Sequence, residues 1–273
     1  MIQESATLAE DAATGRAGTL QRGLAILSTL TIASRQLTLA EVAAAAGLDQ
    51  STTLRLLRVL EDEQCVLRDP ASRRYAPSPR LLHPLPLLHP LEQMRRETRS
   101  ILTNLSAELG TTVILVLFRG IERMVLDIAL VPQAVAPYYD TWLKGPLHAT
   151  GVGKACLAGM GEADAAKLLG PGPLQRFTPA TIVDPADLMA ELARSQERGY
   201  ITSRGEYRPG ITNVAHVLRS WNGAVVGCIN ITAREPQMDD DMCQRCGEAL
   251  RRASDELIYQ TPSLESVSNY LHA

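Results

Sequence analysis

Residues 38–75 read TLAEVAAAAGLDQSTTLRLLRVLEDEQCVLRDPASRRY, and this stretch decides the fold of the N-terminal part of the chain. Thr38 stands where an N-cap belongs, with Glu41 three residues on as its capping-box partner, and Leu39, Val42, Ala43 and Ala46 then share one helical face. Gly47 stops that helix and Leu48 plugs the bend. Asp49 or Ser51 caps the next helix, on which Leu54, Leu57 and Leu60 point inward while Ser51, Arg55 and Arg58 share the opposite face. Cys65 to Arg68 and Arg74 to Ala76 read as short strands around the turn-forming Asp69, Pro70, Ala71 and Ser72. Helix, turn, helix and hairpin in that order predict a winged helix-turn-helix.

The donors on this module sit where DNA recognition needs them. First-turn residues of a recognition helix meet base edges in the major groove, and helix N-termini suit phosphate oxygens. Gln50, Ser51, Thr52 and Arg55 are such residues, and Arg73 and Arg74 are expected to project from the wing. Arg22, in the same basic module, is counted with them. Residues 16–80 carry nine Arg and six acids, a net charge of +3, so the whole-chain charge of −3 leaves −6 on the remainder. A basic module on an acidic chain localises a nucleic-acid footprint to the N-terminal part. The alternative is a winged-helix module that binds only protein.

A chain of 273 residues is too long for one winged helix and suits two modest domains. With 45% hydrophobic but 4% aromatic residues the cores are aliphatic. No segment approaches the roughly 20 uninterrupted apolar residues of a membrane span. Residues 1–15, polar, Ala-rich and acidic, read as a disordered tail and not a signal peptide. Five cysteines in no framework spacing point to a cytoplasmic chain with reduced thiols. Cys243 and Cys246 have the spacing of a redox or metal half-site, but Met242, Cys246, Leu250 and Leu257 fit the apolar stripe of a helix, and no metal site or cofactor is expected.

The predicted domains are the tail, the winged helix over 16–80, a linker and linker helix over 81–110, an α+β domain over 111–262 and a C-terminal tail over 263–273. Pro84, Pro86 and Pro90 forbid a long helix in the linker, after which Leu91, Met94, Thr98, Ile101, Leu102, Leu105 and Leu109 repeat at helical spacing up to Gly110. Thr112–Phe118 and Arg123–Leu130 form one predicted hairpin; Asn213–Arg219 and Ala224–Thr232 form another around Asn222-Gly223. Helices are predicted between them and over about 239–259.

One loop, Gly145 to Ala158, runs glycine-rich into a helix. It is no P-loop, because His148 and Ala155 stand where that motif needs Gly and Ser or Thr. Its free backbone N–H groups suit a small carboxylate.

Together these motifs resemble the IclR family of bacterial regulators from about Thr19 onward. The matching residues are Leu20-Gln21-Arg22-Gly23-Leu24-Ala25-Ile26-Leu27, Leu39-Ala40-Glu41-Val42-Ala43, Ser51-Thr52 with Arg55-Leu56-Leu57, Arg74-Tyr75, Pro146 to Ala155, Gly199-Tyr200, Glu206 with Pro209-Gly210, and Asn222-Gly223. The resemblance implies a winged helix-turn-helix, a linker helix and a C-terminal GAF-like α+β effector-binding domain, assembled as a homodimer or homotetramer on a double-stranded operator. It also implies an effector pocket lined by Gly151, Val152, Ser203, Ile211, Asn213, Asn230 and Thr232. Family members often carry acidic residues where this chain has Ser203, Arg204 and Gly205, and Cys or Ser in place of Asn213. A small organic acid is therefore the expected effector. Arg204 reads either as its bidentate partner or as a solvated surface arginine.

Two other readings compete with this one. A thiol-based redox sensor would use Cys228 or the Cys243/Cys246 pair, and an enzyme would use His148, Lys154 and Cys156. Nothing in the sequence orients the latter three as a catalytic set, so no catalytic residue is assigned.

Overall fold

The computed structural model describes residues 18–33, 35–82, 87–132 and 142–272. The expected N-terminal tail and Pro84 and Pro86 of the expected linker lie outside these residues. The chain divides into two units, Met1–Pro86 and Leu87–Ala273.

The first unit holds α1 (Thr19–Ile32), α2 (Leu39–Ala46), α3 (Gln50–Asp62), β1 (Val66–Arg68) and β2 (Tyr75–Pro77). The capping box at α2 forms as the spacing predicts: Thr38 N–H donates to Glu41 Oε2 at 2.7 Å and Glu41 N–H to Thr38 Oγ1 at 3.3 Å. Gly47 ends α2 at φ +66°, a conformation that glycine adopts without steric cost, and its N–H caps the helix. Asp49, not Ser51, is the N-cap of α3. The core gathers Ile26, Leu30, Leu37, Val42, Leu56, Leu57, Val66 and Tyr75, so Leu56 is buried while the expected Leu54 and Leu60 are half-buried. β1 and β2 pair antiparallel, and Leu37 adds a bridge to Tyr75.

The second unit is an α+β sandwich around a five-stranded antiparallel sheet in the order β4-β3-β7-β6-β5. Its strands are β3 (Thr112–Arg119), β4 (Glu122–Ala129), β5 (Ile201–Arg204), β6 (Ile211–Arg219) and β7 (Val225–Arg234). The helices are α4 (Pro90–Leu109), α5 (Gly151–Met160), α6 (Glu162–Leu169), α7 (Pro185–Arg198), α8 (Asp240–Gln260) and α9 (Ser263–His272). The apolar stripe of α4 packs with α8 and α9 on one sheet face through Met94, Leu102, Leu115, Ile229, Leu250 and Val267. On the other face α5 and α7 close over Ile114, Val116, Ala215 and Cys228 with Val152, Leu157, Leu188 and Leu192. Both faces are covered, which is why β3 and β7 read as continuous apolar runs rather than alternating ones.

The expected C-terminal tail is corrected. Ser263–His272 is helix α9, and Leu264, Val267, Ser268 and Leu271 are buried against the sheet side that α4 covers. Their spacing of three, four and seven is that of one helical face, so the apolar surface of α9 requires a partner.

Candidate functional site

In the first unit the exposed face of α3 carries Gln50, Ser51, Arg55 and Arg58, with Thr52 half-buried beside them and Thr53, Leu56 and Leu57 turned into the core. Asp49 Oδ1 accepts the Thr52 N–H at 2.8 Å and the Ser51 hydroxyl at 2.6 Å. The two arginines expected on the wing are placed differently. Arg73 is exposed, with φ +56°. Arg74 is half-buried and donates to Gln36 O at 3.2 Å and Glu41 Oε2 at 3.4 Å. Arg35, at 2.7 Å, and then the Thr38 N–H hold the Glu41 carboxyl down at about 2, so it remains a charged partner for Arg74. Arg22 is half-buried on α1.

In the second unit the candidate ligand residues converge on the sheet face beneath the start of α5. Register places Ser203 opposite Asn213 and Asn213 opposite Thr232, with Asn230 two residues away on the same face. Asn230 Nδ2 donates to Thr232 Oγ1 at 3.1 Å, and Thr232 Oγ1 donates to Asn213 Oδ1 at 2.9 Å. Asn230 is fully buried and its Oδ1 has no hydrogen-bond partner. The inward polar side chains therefore satisfy one another in part and leave one acceptor over.

α5 starts directly above this acceptor. Thr150 caps it, accepting the Gly153 N–H at 3.0 Å and donating to Pro146 O at 2.9 Å. A Cβ on Gly151 would stand 2.6 Å from Asn213 Cβ and 2.8 Å from Asn230 Oδ1, so glycine is what lets the helix descend onto the sheet. Val152 is buried in the core behind it, and Ile211 is half-buried at the start of β6, two residues from Asn213. Ser203 donates to Ala149 O at 3.0 Å, tying β5 to the same loop.

Arg204 is corrected as an effector residue. It lies on the opposite sheet face, where it donates to Met238 O at 2.8 Å and to Asp240 Oδ1 at 2.6 Å and touches Cys243 Sγ at 3.3 Å. His216 shares that face; its Nδ1–H donates to Gly199 O at 2.7 Å and burial pushes its pKa down.

Beside these residues lies a feature that residue types alone did not reveal. Lys154 on the first turn of α5 pairs with Glu206 at 2.6 Å, both buried, and Nζ also reaches Thr202 O at 3.5 Å. Burial raises the Glu206 pKa against the opposing pull of Lys154. The backbone around Glu206 is held from the α6–α7 loop: Thr178 donates to Gly205 O at 2.8 Å and Thr181 to Glu206 O at 2.6 Å. His148 donates from Nε2 to Gln175 O at 2.8 Å and packs on Phe177, which meets Tyr207 edge-on.

These contacts dissolve the imagined catalytic set. Lys154 turns to Glu206, His148 to Gln175 and Cys156 to Gly120 O, so none orients another. Burial pushes Cys156 to about 11 and Cys246 to about 12, and raises Cys228 and Cys243 as well. Thiols held protonated in apolar surroundings are poor nucleophiles and poor peroxide sensors, which disfavours the redox reading. No group among the described residues could hold a metal ion, and no described helix is long and apolar enough to cross a membrane.

Residues 19–70 match the IclR helix-turn-helix domain, and residues 90–259 match the C-terminal domain of the bacterial transcriptional regulator IclR. The chain is 27% identical over 241 residues to the HTH-type transcriptional regulator XynR of Escherichia coli (strain K12), covering 86% of this chain and 96% of that one. With the transcriptional repressor IclR of the same strain it shares 28% identity over 247 residues, 90% of each chain. The crystal structure of an IclR homolog from Microbacterium hydrocarbonoxydans, complexed with 4-hydroxybenzoate, superposes at TM-score 0.77 and 20% identity over 91% of this chain and 100% of that one.

Proposed function

The chain belongs to the IclR family of transcriptional regulators, DNA-binding proteins and not enzymes, and from that premise we propose that it is a cytoplasmic homodimer or homotetramer whose operator affinity is set by a small organic acid. Gln50, Ser51, Thr52 and Arg55 read the operator from α3, supported by Arg22 on α1 and Arg73 on the wing. The effector sits at the start of α5, its carboxylate on the N–H groups of Gly151 and Val152 and its polar substituents toward Ser203, Asn213, Asn230 and Thr232, with Ile211 as apolar wall.

The observation that carries the effector site is the buried, unpartnered Asn230 Oδ1 directly below the start of α5. An orphaned acceptor at the positive end of a helix dipole asks for a ligand with both an anionic and a hydrogen-donating group. Arg204 takes no part, because it faces the other side of the sheet. The 4-hydroxybenzoate held by the Microbacterium homolog has both kinds of group and belongs in the panel of candidates. Ligand control requires unequal affinity for two conformations of the protein.

Thermal shifts across aromatic and short aliphatic acids test the reading. A ligand at 100 times its dissociation constant adds about 2.7 kcal/mol to folded-state stability. A saturable, selective shift that Asn230→Ala abolishes supports the assigned site. A shift retained by Asn230→Ala, or a flat panel, contradicts it.

A further inference from the structure

We propose that Ser51, with its proton committed to Asp49, reads a base that presents an exocyclic amine in the major groove, so that each operator half-site holds adenine or cytosine at the position it contacts. The proposal rests on α3 being the recognition helix. A free serine hydroxyl has one donor and two acceptor lone pairs and therefore tolerates either kind of base edge. Ser51 is not free in this sense. Its Oγ donates to Asp49 Oδ1 at 2.6 Å, and the same carboxylate oxygen accepts the Thr52 N–H at 2.8 Å.

The hydrogen bond from Ser51, followed by those from Thr52, holds the Asp49 carboxyl below the usual carboxylate range, so it is an ionised acceptor at neutral pH. Asp49 and Ser51 are both exposed. Ser51 and Asp49 thus present acceptors and a negative charge at the N-terminal end of α3, where a helix start ordinarily receives a phosphate. Phosphate oxygens are repelled there. Guanine O6 and N7 and thymine O4 are acceptors and find no partner, whereas adenine N6 and cytosine N4 are donors and do.

Arg55 stands on the same exposed face one turn further along α3. One turn is about 5.4 Å, or one to two base steps of about 3.4 Å. Its guanidinium suits guanine O6 and N7. The half-site implied is an adenine or cytosine contact within about two steps of a guanine contact.

In vitro selection from a randomised duplex pool tests this, using the full chain, Ser51→Ala and Asp49→Ser. The second variant keeps a competent N-cap but releases the Ser51 hydroxyl to donate. Circular dichroism establishes that both variants retain the wild-type helix content. The expected wild-type motif has one position favouring adenine or cytosine by roughly fivefold, the effect of one hydrogen bond. Both variants lose that preference while the guanine position persists. Unchanged preferences in both variants, or guanine or thymine at the position that depends on Ser51, overturn the proposal. Failure of the wild-type chain to enrich any motif overturns instead the assignment of α3 as a recognition helix, and is distinguishable on that ground.

Discussion

Lys154 and Glu206, 52 positions apart, meet at 2.6 Å with side chains 1% and 8% exposed, and they fasten the first turn of α5 to the segment that follows β5. Lys154 is the largest of the influences that offset burial of the Glu206 carboxyl, ahead of the Ser203 hydroxyl and the Arg204 N–H. Removing one partner leaves a buried charge uncompensated, whereas removing both leaves an apolar site. Lys154→Met is expected to cost about 3–5 kcal/mol, and Lys154→Met with Glu206→Leu to recover most of it. Urea unfolding of the full chain measures this. A single variant no less stable than the double would show that the pair does not couple the two segments.

Local signals were legible before the structure; this pair was not. The Thr38–Glu41 capping box and the Asn222-Gly223 turn are written in residues a few positions apart, and each forms as expected. Glu206 was matched only as part of a family pattern, because no local periodicity connects positions 52 residues apart. The placement of Arg204, by contrast, follows from the strand itself. Ser203 is buried toward Ala149, and strand alternation alone puts its neighbour on the other face. The helix over Ser263–His272 is also legible, in the spacing of Leu264, Val267, Ser268 and Leu271. The mutual hydrogen bonding of Asn213, Thr232 and Asn230 depends on strand register, which the sequence does not print.

His216 makes the second unit sensitive to mild acid. Burial is the main cause that lowers its pKa, outweighing the Gly199 carbonyl and Asp255, which raise it, while Arg251 and Arg219 lower it further. A base with a depressed folded-state pKa contributes stability that is present above its unfolded value of about 6.5 and is lost as pH falls through the folded value. Unfolding midpoints of the wild type should therefore decline as pH drops below about 6.5, and His216→Gln should flatten that decline. Equal slopes for the two proteins would contradict the assignment.

Two glycine-to-alanine changes should act in opposite directions. A Cβ on Gly153 would lie 2.4 Å from Leu147 O and 2.6 Å from Pro146 O, backbone atoms that cannot step aside. Gly153→Ala is expected to lose about 1–3 kcal/mol. Gly23 lies inside α1 with nothing within 4 Å of its would-be Cβ, so Gly23→Ala should gain about 0.5–1 kcal/mol in helix propensity. Thermal unfolding of both variants gives the signs directly; a neutral Gly153→Ala would mean that the loop before α5 yields more readily than its contacts indicate.

Arg204 and Asn230 separate the two faces of the sheet. Arg204→Ala removes contacts to Met238 and Asp240 at the start of α8 and should leave the thermal shift by an acid effector intact. Asn230→Ala should abolish it while the fold persists. An effector response lost in Arg204→Ala would return the arginine to the pocket.

Operator binding as a function of salt tests the account most directly. Fluorescence anisotropy of a labelled duplex from upstream of the chain's own gene, titrated with the full chain from about 50 to 200 mM salt, should show log affinity falling linearly with log salt. Arg55→Ala should weaken specific binding by about 1–3 kcal/mol. Affinity indifferent both to salt and to Arg55→Ala would contradict the assignment of α3 as the surface that reads DNA.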